Sequence, residues 1–142
     1  MSDDETVWTE REFDGHDFRD EDLSRLRTER VVCTECDFSG VDLSESEHVG
    51  SAFRNCTFRR TNLLHSAFRH CSFLGSVFTE CRLRPVTFVE VDFTLAVLGG
   101  ADLRGARVDP TLWTTAALRG AKVDIEQAMS FAAAHGLDIH GA

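Results

Sequence analysis

The sequence predicts an all-β solenoid, a right-handed quadrilateral β-helix built from five-residue repeats and closed by a short C-terminal α-helix. Three observations carry this reading. Large apolar residues recur every five positions, small residues recur two positions before them, and the large residues sort by type when every fourth is taken.

The large series runs Phe13, Phe18, Leu23, Thr28, Cys33, Phe38, Leu43, His48, Phe53, Phe58, Leu63, Phe68, Phe73, Phe78, Leu83, Phe88, Phe93, Leu98, Leu103, Val108, Trp113, Leu118, Val123, and only Thr28 and His48 are clearly polar. From Val31 to Ala121 the positions two residues earlier are all Val, Cys, Ser, Thr or Ala. Residues two apart in extended chain point the same way, so each repeat sends one large and one small side chain inward and three residues outward. A period of five fits neither an amphipathic helix nor a flat strand; it fits a coil that turns a corner every five residues. Taking every fourth member gives the columns Leu23, Leu43, Leu63, Leu83, Leu103, Val123 and Phe18, Phe38, Phe58, Phe78, Leu98, Leu118, hence four faces and 20 residues per coil. At a coil spacing of ~4.8 Å, about 5.75 coils make a rod of roughly 27 Å.

The elements follow in order. Residues 1–10 form an N-terminal tail and lead-in, 11–123 the solenoid, and 124–142 a capping or dimerisation helix with its tail. Thr28 and His48 weaken one column, which predicts irregular backbone around Ser24 to Glu35. After Val123, Asp124 suits the N-cap of a helix reaching about His135, with Gly136 at the position that ends it. Ile125, Ala128, Met129 and Ala132 form an apolar stripe at helical spacing. Two compatible readings stand: the stripe covers the last coil, as solenoid ends require, or the apolar surface, with Phe131 and Leu137, pairs two chains.

With 42% hydrophobic and 27% charged residues and no apolar run near the roughly 20 residues of a membrane helix, the composition is that of a soluble protein. Met1-Ser2-Asp3-Asp4-Glu5 has neither the basic nor the apolar region of a signal peptide, so a cytoplasmic location is expected. Five cysteines, an odd number, suit reduced thiols in a reducing compartment. Net charge is −9 with Lys122 as the single lysine, which disfavours a nucleic-acid ligand and favours a basic partner surface.

Sites of chemistry are not expected. Cys33-x-x-Cys36 lacks a second ligand pair at matching spacing, so it does not read as zinc, and both cysteines fall on inward series. Cys36 and Cys56 are one coil apart, where a disulfide is conceivable, but buried thiols are the simpler account. His48 takes an inward position and reads as a hydrogen-bonded histidine; His65 and His70 face outward with a belt of arginines from Arg54 to Arg84. No nucleophile elbow, phosphate loop or dinucleotide fingerprint occurs. No catalytic residue, metal or cofactor is expected, and the chain reads as a non-enzyme.

Ala101-Asp102-Leu103-Arg104-Gly105 is one unmodified copy of the unit Ala-(Asp/Asn)-Leu-x-x, and through it the chain resembles the pentapeptide-repeat family. Four further strings are similar to the mycobacterial fluoroquinolone-resistance branch of that family: Asp17-Phe18-Arg19-Asp20-Glu21-Asp22-Leu23-Ser24-Arg25-Leu26, Gly50-Ser51-Ala52-Phe53-Arg54-Asn55-Cys56-Thr57-Phe58, Asp92-Phe93-Thr94-Leu95-Ala96-Val97-Leu98-Gly99-Gly100 and Ala132-Ala133-Ala134-His135-Gly136-Leu137. The similarity runs from about Val7 to the end. It implies a cytoplasmic protein that binds DNA gyrase by imitating duplex DNA, dimerises through its C-terminal ends and inhibits or protects the enzyme. It also implies about two more coils between the Asp102 repeat and Arg107-Val108-Asp109-Pro110. Omission of whole coils keeps the columns in register.

Charge supports mimicry only in part. A 27 Å duplex carries about 16 charges, against 9 here, and residues 1–48 hold 16 acidic and 5 basic groups, residues 49–84 only 1 acidic and 6 basic. Asp17, Asp22, Asp37, Asp42, Asp92, Asp102 and Asp109 are the expected partner contacts, and Ile125, Ala128, Met129, Phe131, Ala132 and Leu137 the expected dimer interface. Carboxylates one coil apart repel by under ~1 kcal/mol in water. An interaction scaffold with a partner other than a topoisomerase is the alternative.

Overall fold

The computed structural model describes residues 6–141; the acidic stretch Met1–Glu5 lies outside them. The chain winds as a right-handed coil with four faces. The first face is the parallel ladder β1 (Val7–Thr9), β3 (Arg27–Glu29), β5 (Glu47–Val49), β7 (Ala67–Arg69) and β8 (Thr87–Val89); the second joins β2 (Glu12–Asp14), β4 (Val32–Thr34) and β6 (Ala52–Arg54). The third and fourth faces are ladders of single bridges, Asp17↔Asp37↔Thr57↔Val77↔Val97↔Ala117 and Asp22↔Asp42↔Asn62↔Arg82↔Asp102↔Lys122. Every pairing steps by 20, from Trp8↔Thr28 to Asp102↔Lys122. The ladder reaches back to Val7, within the stretch assigned to tail and lead-in, and it holds register through Thr87↔Arg107, where the omitted coils would stand.

Most repeats end at a residue with positive φ, among them Glu10, Asp20, Arg25, Arg30, Glu35 and Gly40. This left-handed region costs an L-residue free energy, yet it turns the corner and aims the residue's N–H along the rod. Asp20 N–H donates to Ser39 O at 3.1 Å and Glu45 N–H to Leu64 O at 2.8 Å. The ladder therefore continues through the corners.

Inside, the columns stack as the periodicity predicts. Phe18, Phe38, Phe58 and Phe78 lie nearly parallel, with centroids 4.9, 5.0 and 4.9 Å apart. Phe53, Phe73 and Phe93 form a second stack and meet the first edge-on, the preferred aromatic geometries. Leu43, Leu63, Leu83 and Leu103 are fully buried one above another.

The expected irregularity between Ser24 and Glu35 does not occur; β3 and β4 are regular and in register. The reason is a buried polar layer. Thr28 Oγ1 lies 2.7 Å from His48 Nδ1 and 2.9 Å from Ser51 Oγ, and His48 Nε2 lies 2.9 Å from Ser46 Oγ. Among the described residues no buried side-chain nitrogen or oxygen lacks a partner, so the polar pair costs the column little of what an unsatisfied group would. His48 also stacks on Phe68 at 4.4 Å.

The rod's ends are closed differently. In the first coil the small series gives way to Arg11, His16 and Glu21. Arg11 lies over the rings of Trp8 and Phe13, at 5.5 and 4.9 Å, and the His16 ring lies 4.1 Å from that of Phe18, tilted by 37°, so polar heads cover the aromatic end. At the other end α1 (Leu112–Thr115) buries Leu112 and Trp113, and α2 (Ile125–Ala134) follows. Asp124 and Gln127 form a reciprocal capping box at 2.9 and 3.0 Å. The buried Gln127 amide then donates to Leu103 O at 2.6 Å and Ala106 O at 3.0 Å, satisfying carbonyls at the rod's last turns.

The stripe does not cover the last coil: Gln127 is the buried residue of α2, whereas Ile125 is 76% and Met129 50% exposed. The need to satisfy rod-end carbonyls turns the polar Gln127 inward and leaves Ile125 and Met129 outward.

Candidate functional site

The interior is filled, so the candidate site is the outer surface. Each expected contact residue except Asp109 stands one position before an inward residue and closes a local turn. Asp22 Oδ1 accepts from the N–H and hydroxyl of Ser24, at 3.0 and 2.7 Å, and Asp42 does the same with Ser44. Asp37 accepts from Ser39 N–H, Asp92 from the N–H and hydroxyl of Thr94, Asp17 from Arg19 N–H and Asp102 from Arg104 N–H. This is the side-chain-to-backbone bond two residues on that Asp favours. One oxygen of each carboxylate is thus committed to the fold. The signal was visible as Asp-x-Ser and Asp-x-Thr in Asp22-Leu23-Ser24, Asp37-Phe38-Ser39, Asp42-Leu43-Ser44 and Asp92-Phe93-Thr94, and its structural role was missed.

The structure brings together Asp17 with Asp37 on the third face and Asp22 with Asp42 on the fourth. It does not extend either ladder. Thr57 and Val77 follow Asp37, and Asn62 and Arg82 follow Asp42. Asp102 shares the fourth face but is held by Arg104 at 2.9 Å and Arg84 at 3.8 Å, with its side chain only 13% exposed. Asp92 stands on the second face and Asp109 on the first, where its carboxylate accepts from Glu90 N–H.

Electrostatics sharpen the distinction. The Arg19 side chain, 2.8 Å away, holds Asp17 at a pKa of about 2, and Arg104 holds Asp102 at about 2. Hydrogen bonds from Ser24 lower that of Asp22. Asp17 and Asp102 meet a partner already paired with a guanidinium; Asp22 and Asp42 have no cation within ion-pair distance among the described residues. Two carboxylates not singled out from sequence, Asp20 and Glu21, join this unpaired group. The Asp20 carboxylate occupies the space that a Cβ on Gly40 would fill, so Gly40, at φ +69°, leaves room for it.

The arginine belt encircles the rod. Arg59 pairs with Glu80 at 3.2 Å, and His70 Nδ1 lies 3.4 Å from Glu90, while His65 sits at a corner. The cysteine thiols are buried and donate to carbonyls, Cys56 to Cys33 O at 3.4 Å and Cys71 to His48 O at 3.5 Å. Burial pushes Cys56 up to about 12, Cys71 and Cys81 to about 11, and Cys33 higher still. They act as small core groups. Among the described residues no group of three His, Cys, Asp or Glu converges to hold a metal ion, and no helix is long and apolar enough to cross a membrane.

At the C-terminal end, Trp113, Leu118, Ala121, Val123, Ala128 and Phe131 line an apolar hollow of about 270 Å³. Ala128 and Phe131 are expected interface residues. Ile125, Met129 and Leu137 are exposed, and Ala132 is half-buried.

Comparison with known proteins agrees with this architecture. A family model described as pentapeptide repeats matches residues 36–75 and 71–108, together just over half of the chain. "Pentapeptide repeat protein MfpA" of Mycobacterium tuberculosis is 67% identical over 98 residues, covering 69% of this chain and 54% of that protein. The protein of the same name from Mycolicibacterium smegmatis is 81% identical over 63 residues, covering 44% of this chain and 33% of that protein. The matched part therefore spans about half or less of each relative's length. The solved pentapeptide repeat protein Rfr23 from the cyanobacterium Cyanothece 51142 superposes with a TM-score of 0.55 at 17% identity, covering 86% of this chain and 88% of that one.

Proposed function

Because the chain belongs to the pentapeptide-repeat family, we propose that it is a fluoroquinolone-resistance protein that binds DNA gyrase as a partial mimic of duplex DNA. It acts in the cytoplasm, as a homodimer joined at its C-terminal ends, by binding and without chemistry of its own. Similarity to two mycobacterial MfpA proteins supports the reading. The observation that carries it is the pair of carboxylate ladders, Asp17–Asp37 and Asp22–Asp42, fixed by backbone hydrogen bonds on a convex rod at about the ~4.8 Å coil spacing. Fixed charge at regular spacing is what a duplex offers a protein. The mimicry is concentrated in the first coils, where the net charge is negative, and Asp22 and Asp42 are its principal contacts because no cation among the described residues pairs with them.

A supercoiling assay with rising protein tests this. Inhibition of gyrase is expected at micromolar protein, and Asp22→Asn with Asp42→Asn, which keep an acceptor for each turn, should weaken it. Undiminished supercoiling would overturn the reading. The apolar hollow and the exposed Ile125, Met129 and Leu137 support the dimer. Met129→Glu should give a monomer by light scattering; an unchanged dimeric mass would refute the interface.

The arginine belt favours a second reading, a scaffold for a partner unrelated to topoisomerases, since cations have no place in a duplex mimic. Competition separates the two. A mimic is displaced from gyrase by duplex DNA and salt; a scaffold is indifferent to DNA.

A further inference from the structure

We propose that the fourth face is self-complementary in charge and docks a second copy of this chain, side by side and antiparallel. The charges of its bridge ladder that have no ion-pair partner sort by sign along the rod. Toward the N-terminus stand Asp22 and Asp42; toward the C-terminus stand Arg82 and Lys122. None of these four has an oppositely charged partner within ion-pair distance among the described residues. Elsewhere charges of opposite sign are joined between coils, Arg27 with Glu47, Arg30 with Glu10 and Arg59 with Glu80. Asp22 and Lys122 are separated by five ladder steps, roughly 24 Å, so they cannot meet within one chain.

An antiparallel copy brings them together. With the two-fold axis between the levels of Asn62 and Arg82, Asp22 opposes Lys122 of the second copy. Asp42 opposes the Arg84–Asp102–Arg104 group, in which two guanidiniums share one carboxylate, and Asn62 opposes Arg82. The same residues serve both copies, as a two-fold contact requires. A parallel copy in register would set like against like. One narrow flank buries less than the ~800 Å² per partner of a stable complex, so the pairing is weak and salt-sensitive. It is separate from the C-terminal contact and independent of the gyrase reading, although it would cover the same unpaired carboxylates.

Sedimentation velocity tests it, comparing ~10 mM with ~1 M salt, where the Debye length falls from about 30 to about 3 Å. At low salt the mass should rise above its high-salt value, since a second two-fold contact links C-terminal dimers to one another. Asp22→Asn with Asp42→Asn keeps the turns and should abolish the rise. Asp22→Lys with Asp42→Lys, and Arg82→Asp with Lys122→Asp, should each show no rise alone and show it when mixed. Glu12→Lys with Asp14→Lys, on the opposite second face, should leave the rise intact. A mass independent of salt, an equal loss from the second-face variant, or no rise in the mixed pair would each overturn the proposal.

Discussion

Phe58→Ala is expected to destabilise the fold by about 3–5 kcal/mol, the usual range for an aromatic removed from a close-packed core. Phe58 is fully buried, lies face to face with Phe38 at 5.0 Å and Phe78 at 4.9 Å, and meets Phe53 and Phe73 edge-on. The coil spacing is fixed by the ladder, so neighbours cannot close the cavity. In a solenoid each coil is stabilised by its neighbours, and a break at mid-rod uncouples the two halves. Urea unfolding should show a lower midpoint and a broader transition. A loss below ~1 kcal/mol would mean that the columns are not packed as described.

The second large effect is a pH dependence centred on His48. Its ring is buried between Thr28, Ser46 and Phe68, and burial lowers its pKa from 6.5 to about 3. The folded chain therefore keeps the ring neutral while the unfolded chain takes up a proton below pH 6.5. Stability from this residue is complete above pH 6.5 and falls as pH drops, by up to about 1.4 kcal/mol per unit, until the folded pKa is reached. Asp17 and Asp102 act in a lower window. Their folded pKa values of about 2 lie below the ordinary 3.8, so their contribution is lost only as pH falls between those values. His48→Phe extends the stack onto Phe68 and leaves Thr28 bonded to Ser51 and Ser46 to Leu43 O. Unfolding measured from pH 7 to pH 4 should be less pH-dependent in this variant. Identical slopes would show that His48 is not held neutral in the core.

The fold was legible because it is repetitive: one inward large residue every five positions leaves a signal that Thr28 and His48 do not erase. Their regular backbone was not legible, since whether a polar pair disrupts a column depends on partners two to three residues away, here Ser46 and Ser51, that the period conceals. The N-terminal lid was half visible, as Arg11, His16 and Glu21 stand where small residues belong. The helix was placed well, yet its inward face was misread because apolar spacing says nothing of the carbonyls that Gln127 must satisfy. Among the candidate contacts, sequence gave position and sign. What it hid was pairing: Asp102 looks like Asp42 until Arg84 and Arg104 are seen to close on it.

The most direct test of a partial duplex mimic is binding of the chain to purified gyrase, with and without competing duplex, at low and high salt. The account predicts binding that duplex displaces, that salt weakens, and that is reduced by Asp22→Asn with Asp42→Asn but little by Asp102→Asn. Binding that persists undiminished under excess duplex, or none at low salt, would contradict it.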